Sequence, residues 1–317
     1  MIAFGPVPSR RLGRSLGINN VPAKVCSYSC IYCQLGRTIR ISVERRAFYN
    51  PERVFENVRR KVEEAKIRGE KIDYLTFVPD GEPTLDLNLG VEMELLKGMG
   101  IPIAVLTNSS LLWRVDVRED LLKADLVSVK VDAVERDLWR KINRPHRSLK
   151  IDEISEGIIE FSKEFKGELI TETMLIDGFD YADELKKMAE FLSKLRPRKA
   201  YIAVPTRPPA ERWVKPADER VVNRAFQVFS KKLGDGAVEY LIGYEGNAFA
   251  FTGNVEEDLL SVTSVHPMRE GGVKELLRKA NASWEVVEKL LDEGKLIELE
   301  YEGHRYYMRR LPSRIKA

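Results

Sequence analysis

The sequence predicts an α/β protein, a partial, open-sided (βα)6 barrel followed by a smaller winged-helix-like domain. Three observations carry this prediction. Short β-branched runs alternate with amphipathic stretches from about residue 51 to residue 204; polar residues gather just after those runs; and beyond residue 256 the pattern changes to three helical stretches and two closing strands. Such alternation implies parallel strands joined by right-handed crossovers, and six units are fewer than the eight that close a barrel.

A first strand is expected between residues 15 and 25. Residues 51–68 form an amphipathic helix, opened by Asn50 as cap and Pro51 at the first helical position. Strands then fall at 72–78, 102–107, 126–131, 168–175 and 200–204, and helices at about 85–99, 117–123, 151–165 and 182–195. Ligands of parallel α/β sheets sit at the carboxyl ends of the strands. That rule selects the segment 79–83, then Asn108-Ser109-Ser110, Asp132, Asp177-Gly178, and Pro205-Thr206-Arg207. Four prolines between 205 and 216 suggest a boundary, giving a core over 1–210, a linker over 211–255 and the tail domain over 256–317. In the tail, helical stretches at 257–262, 272–279 and 283–293 precede strands at 295–299 and 304–308, the pattern of a winged helix.

The 317 residues contain three cysteines and no apolar run of the ~20 residues that span a bilayer. With no signal-peptide pattern at the start, these features point to the cytoplasm and exclude a disulfide scaffold and a membrane protein. The net charge of +3 is uneven: residues 1–46 hold eight basic side chains against Glu44 alone, a basic N-terminal lobe on a nearly neutral body. Such a lobe suits an anionic ligand or nucleic acid.

All three cysteines lie within eight residues, Cys26, Cys30 and Cys33, spaced C-x3-C-x2-C. Thiolates this close favour a soft metal centre. Structural zinc wants four ligands, and neither a fourth cysteine nor a histidine near in sequence is present. Three thiolates suit a [4Fe-4S] cluster that leaves one iron open, where the amine and carboxylate of S-adenosyl-L-methionine can chelate. Reductive cleavage of that cofactor releases a 5′-deoxyadenosyl radical.

The spacing, with Tyr32 before the third cysteine, resembles the signature of the radical S-adenosylmethionine (radical SAM) superfamily. The likeness extends over residues 1 to about 210. Asp80-Gly81-Glu82 stands where that family carries a Gly-Gly-Glu-like motif contacting the methionyl amine, which implies a cofactor role for Gly81 and Glu82, with Asp80 in place of the first glycine. The resemblance further implies that Tyr32 packs by the adenine, that Asn108 touches the cofactor after the third strand, and that an electron donor such as ferredoxin or flavodoxin serves the cluster. Ser128, Lys130 and Asp132 alternate and so share one strand face. A lysine in a buried strand needs a partner, which makes Lys130 a candidate for the carboxylate or ribose side, with Ser128 a cofactor-binding candidate on the same face. Glu172 faces either the lumen or the helices, and Arg207 either an anionic substrate or solvent. No catalytic acid or base is evident.

The run from Gly5 to Gly13, together with Asn143-Arg144-Pro145-His146, resembles a prokaryotic branch grouped with the wyosine-forming tRNA enzymes. Those enzymes carry further cysteines for a second cluster, which are lacking here, so wyosine synthesis itself is disfavoured. The substrate expected is large: an RNA, suggested by the basic lobe and by five basic residues between 305 and 316, or a partner protein acted on by an activase or modifying enzyme. A small-metabolite oxidoreductase is a third reading. The tail helix over 283–293, with four acids against Lys289, is a poor groove-reading helix.

Overall fold

The computed structural model describes residues 2–78 and 80–310. Strand β1 (Ala3–Ser9) turns back into β2 (Gly13–Ile18), and the two-residue strands β3 (Val25–Cys26) and β4 (Arg40–Ile41) flank the cysteine loop. Then follow α1 (Pro51–Ile67), β5 (Tyr74–Phe77), a 3-10 turn (Pro83–Leu85), α2 (Leu89–Lys97), β6 (Ile103–Thr107), α3 (Val115–Leu121), β7 (Leu126–Lys130), α4 (Arg136–Asn143) and α5 (Ile151–Glu164). The chain continues through β8 (Glu168–Met174), α6 (Glu184–Leu195), β9 (Lys199–Ala203), α7 (Glu219–Leu233) and β10 (Val238–Leu241). The tail comprises α8 (Val255–Val265), β11 (Met268–Arg269), α9 (Glu270–Ala280), α10 (Glu285–Asp292), β12 (Leu296–Tyr301) and β13 (His304–Arg309).

Among the described residues, eight strands form one sheet in the order β1-β2-β5-β6-β7-β8-β9-β10. Every neighbouring pair is parallel except β1–β2. The mostly parallel α/β architecture is the one the alternation predicts. Helix α1 starts as its cap dictates, Asn50 Oδ1 accepting the amides of Glu52 (2.8 Å) and Arg53 (3.3 Å).

Four features differ from the sequence expectation. The first barrel strand is Gly13–Ile18, and an antiparallel partner precedes it; Gly5, Pro6 and Pro8 hid β1 from a periodicity argument. Helix α4, whose eight residues include only Leu138, Trp139 and Ile142 as large apolar side chains, was not expected. The stretch 217–255 is not merely a linker, because α7 and β10 add a seventh parallel strand beside β9. The tail carries a third short strand, β11, in a sheet ordered β11-β13-β12. The basic residues between 311 and 316 lie outside the described residues, as does Pro79.

The turn between β1 and β2 enters the barrel floor. Leu12 packs there against Ala104, Leu126, Ile170 and Tyr201, one inward residue from each of four strands. Beside it Arg10 donates to the Leu241 carbonyl (2.7 Å) on the opposite sheet edge. Arg11, Arg14 and Arg45 likewise bond buried or half-buried carboxylates of Glu172, Glu70, Asp116 and Asp120. The positive N-terminal segment is thus not one solvated basic surface; much of its charge ties the core together.

The tail shares a second apolar core with β1, where Phe4 and Val7 meet Phe249, Leu259, Met268 and Leu276. Buried Lys61 of α1 reaches Asp258 Oδ1 at 3.2 Å and bonds Thr252, and Tyr306 donates to the Thr206 carbonyl at 2.7 Å. The tail therefore sits against the barrel rather than apart from it. Among the described residues, no helix is long and apolar enough to cross a membrane.

Candidate cluster and cofactor site

The cysteine loop leaves β3 and is stitched on three sides by backbone bonds. Ser42 N–H donates to Cys26 O (3.0 Å), Ser29 and Ile31 donate to the carbonyls of Asn143 and Ile142 (both 3.0 Å), and Glu211 N–H donates to Ile31 O (3.0 Å). Ile31 is fully buried and anchors the loop in the core. A tight turn closes it, with Cys33 N–H on Cys30 O at 3.1 Å.

Each thiol faces a nitrogen donor from a different part of the chain. Asn108 Nδ2 is 3.4 Å from Cys26 Sγ, Asn143 Nδ2 is 3.4 Å from Cys30 Sγ, and Lys24 Nζ is 3.3 Å from Cys33 Sγ. All three cysteines are half-buried, and none is disulfide-bonded. Burial, then the Glu82 carboxylate, pushes the Cys26 thiol up to about 11, and burial with Asp132 pushes Cys30 up to about 12. Thiolates in such a place need a cationic group to stabilise them, as iron does, and N–H donors to sulfur suit a cluster. Among the described residues, no three His, Cys, Asp or Glu side chains are placed to hold a single ion. The thiolates of a four-iron cluster bind different irons, so convergence on one point is not required. The donor set fits such a cluster.

Gly81 is required by packing. A Cβ there would come within 1.9 Å of the Val25 carbonyl oxygen, which also accepts the Glu82 amide at 3.0 Å. The Asp-Gly-Glu turn thus rests directly on the strand entering the cysteine loop. Asp80 is buried, its amide donating to Asn19 Oδ1 (2.9 Å) and its carbonyl accepting from Lys24 N. Glu82 is 1% exposed; Oε1 accepts from the Thr84 amide (3.1 Å), the Thr84 hydroxyl (2.7 Å) and the Thr107 hydroxyl (2.6 Å), while Oε2 accepts from Asn108 N at 2.7 Å. Burial raises its pKa and these donors oppose the rise. The side chain of Asn108 turns to the loop, donating also to Ser27 Oγ at 2.9 Å.

Tyr32 lies inside the barrel top, its hydroxyl donating to Asp132 and its ring 4.9 Å from Lys130 Nζ. Asp132 also accepts from Asn143 Nδ2 (2.7 Å) and Met174 N (2.9 Å). Lys130 finds its partner in Glu172, Nζ to Oε1 at 2.7 Å, and Arg11 holds the other oxygen. Glu172 therefore belongs to the lumen side. Burial alone would raise its pKa, but Arg11 and Lys130 pull it down to about 2. Ser128 is buried on the same strand face. Arg207 is not presented to solvent: it donates to Gln34 Oε1 (2.7 Å), bonds Glu245 and lies 3.1 Å from His266 Nε2, so it joins the residue after Cys33 to the tail.

Besides Thr84 and Thr107, which hold Glu82, three residues that touch the site escaped the sequence reading. Lys24 precedes the first cysteine by two positions, a signal adjacency could have given. Asn143 sits within the Asn-Arg-Pro-His run, and Arg11 within the Gly5–Gly13 run, but their partners lie 113 and 161 residues away.

Comparison with known proteins accords with this geometry. A family model described as the radical SAM superfamily matches residues 20–192. A UPF0026 protein of Methanocaldococcus jannaschii is 54% identical over 316 residues, covering 99% of this chain and 98% of its own. A UPF0026 protein of Synechocystis is 39% identical over 207 residues, 65% of this chain and 76% of its own. Among solved structures, Streptococcus suis SuiB bound to precursor peptide SuiA superposes with a TM-score of 0.54 at 13% identity, over 73% of this chain and 52% of SuiB. The match thus spans about half the length of SuiB, and the likeness is one of fold.

Proposed function

Since the chain belongs to the radical SAM superfamily, whose enzymes use a [4Fe-4S] cluster and S-adenosylmethionine, we propose that Cys26, Cys30 and Cys33 hold a single such cluster. The observation that carries this reading is the arrangement of three half-buried thiols, each with its own nitrogen donor, beside Glu82. Bound together, cluster and cofactor supply reductive cleavage of a carbon–sulfur bond and hence a radical able to abstract hydrogen.

The chain's own residues would do the rest. Glu82, held by Thr84, Thr107 and the Asn108 amide, would accept from the cofactor's ammonium. Gly81 lets that turn lie against the loop, and Asn108 orients Cys26. Tyr32 flanks the adenine, and Lys130, positioned by Glu172, serves the carboxylate or ribose with Ser128 on the same face. The substrate we propose is large, transfer RNA first and a partner polypeptide second. The tail's order of helix, strand, two helices and two strands supports the winged-helix reading. Its acidic α10, and the hairpin tyrosine bonded to Thr206, favour a docking or covering role over groove insertion. Cysteines outside any disulfide and an oxygen-sensitive cluster suit the reducing cytoplasm.

Anaerobically reconstituted protein should take up about four irons and release 5′-deoxyadenosine on reduction with dithionite. Cys30→Ala should abolish both, and undiminished product in that variant would overturn the assignment. Salt-dependent retention on immobilised transfer RNA separates the RNA substrate from the polypeptide.

A further inference from the structure

The backbone of the cysteine loop gathers three surface segments on its outer side. Ile39 N and Arg40 N donate to Lys24 O (both 3.2 Å) and Ser42 N to Cys26 O; Ser29 N donates to Asn143 O and Arg144 O, and His146 N to Ser27 O (2.9 Å); Glu211 N donates to Ile31 O. Glu211 ties the segments to one another, since its Oε2 accepts from Arg37 (2.8 Å) and its Oε1 from Arg144.

These segments expose five arginines: Arg37, Arg40, Arg144, Arg147 and Arg212. Within residues 37–42, 143–148 and 211–213 Glu211 is the one acid, and it is buried; Glu44 lies just beyond the first of them, paired with Arg46. Arg40, Arg147 and Arg212 have no carboxylate within salt-bridge distance among the described residues. Large apolar side chains stand among them unburied, with Ile39 58%, Ile41 41% and Trp213 55% exposed.

We propose that this patch is the docking surface of an acidic one-electron carrier protein, a proposal that rests on the cluster assignment above. Arginine and aromatic side chains with few lysines are the composition of protein-binding patches. An excess of positive charge steers an acidic partner and sets its on-rate. Position decides for a carrier over RNA. The patch touches the backbone of the thiol-bearing loop, whereas Lys130, Asp132 and Glu172 mark the lumen where a substrate would have to meet the cofactor. In each encounter the carrier loses one electron and the cluster gains it, with no proton or group transferred.

The test uses anaerobically reconstituted full-length protein and reduced flavodoxin as the probe, in wild type, the triple variant Arg40→Glu, Arg147→Glu, Arg212→Glu, and Trp213→Ala. Two quantities are read: flavodoxin affinity by calorimetry at low and high salt, and the rate at which flavodoxin bleaches the cluster's visible absorbance. Affinity and rate should fall about tenfold or more in the triple variant and lose their salt dependence, with a smaller fall in Trp213→Ala. Iron content and reduction by dithionite should match wild type in both. Equal flavodoxin affinity and rate in wild type and triple variant would overturn the docking surface alone. The same result with lost transfer RNA binding would assign the patch to RNA instead. Wild-type protein that takes up no iron would overturn the cluster assignment, and this proposal with it.

Discussion

Asn143, the last residue of α4, donates its side-chain amide to the sulfur of Cys30 across 3.4 Å. The same amide nitrogen lies 2.7 Å from Asp132 Oδ2. One buried side chain therefore couples the cysteine loop to the carboxylate that holds Tyr32.

Replacing Asn143 with alanine leaves Asp132 and the sulfur each short of a donor. Stability should fall by about 1–3 kcal/mol, the cost of an unsatisfied buried acceptor. The loaded protein should also have a more negative reduction potential, because donors to sulfur favour the reduced cluster. Thermal unfolding and a spectroscopic redox titration measure the two effects; an unchanged potential would show that the amide does not reach the cluster.

Gly81→Ala tests the contact between the Asp-Gly-Glu turn and the loop strand. The obstacle to a methyl group is the Val25 carbonyl, a backbone atom that cannot swing aside. A destabilisation of about 1–3 kcal/mol or more is expected, with lowered iron uptake. Wild-type stability in this variant would mean that the turn relaxes without cost.

Glu172 gives an acid-side dependence. Its folded pKa is depressed, so its contribution to stability is fully present above the ordinary carboxylate range and is lost as pH falls through that range toward about 2. Glu172→Gln leaves Lys130 and Arg11 facing each other without a carboxylate and should cost about 3–5 kcal/mol at neutral pH. The penalty relative to wild type should shrink as pH falls, which urea unfolding across pH resolves.

Glu92 of α2 has the opposite sign. It is 1% exposed, beside buried Asp86. Burial, then Asp86, pushes its pKa up to about 9. The folded state thus holds a proton that the unfolded state gives up above the ordinary carboxylate range, and stability falls as pH rises from there toward about 9. Glu92→Gln should be more stable than wild type by about 1–3 kcal/mol near pH 9 and nearly neutral near pH 5. A gain that is equal at both pH values would refute a buried proton.

The chemistry was legible because it is written locally. Three cysteines within eight residues, an aromatic before the last, and an acidic turn after a strand are contiguous patterns, and strand–helix alternation announces parallel crossovers with few alternatives. Strand β1 was illegible because Gly5, Pro6 and Pro8 break any alternation, and β10 because a run of four residues carries no period.

By itself, then, the sequence determined the α/β architecture, the thiol set and the family. Only the tertiary structure decided which side chains serve those thiols and where the charge goes. Asn108, Asn143 and Lys24 come to the sulfurs from three separate segments, Arg11 reaches Glu172 from the other end of the core, and Glu211 gathers the arginines outside the loop. The physical reason is range. A motif is read along the chain, but a buried charge or sulfur takes whatever partner the packed strands bring within about 3 Å, and sequence separation does not constrain that choice.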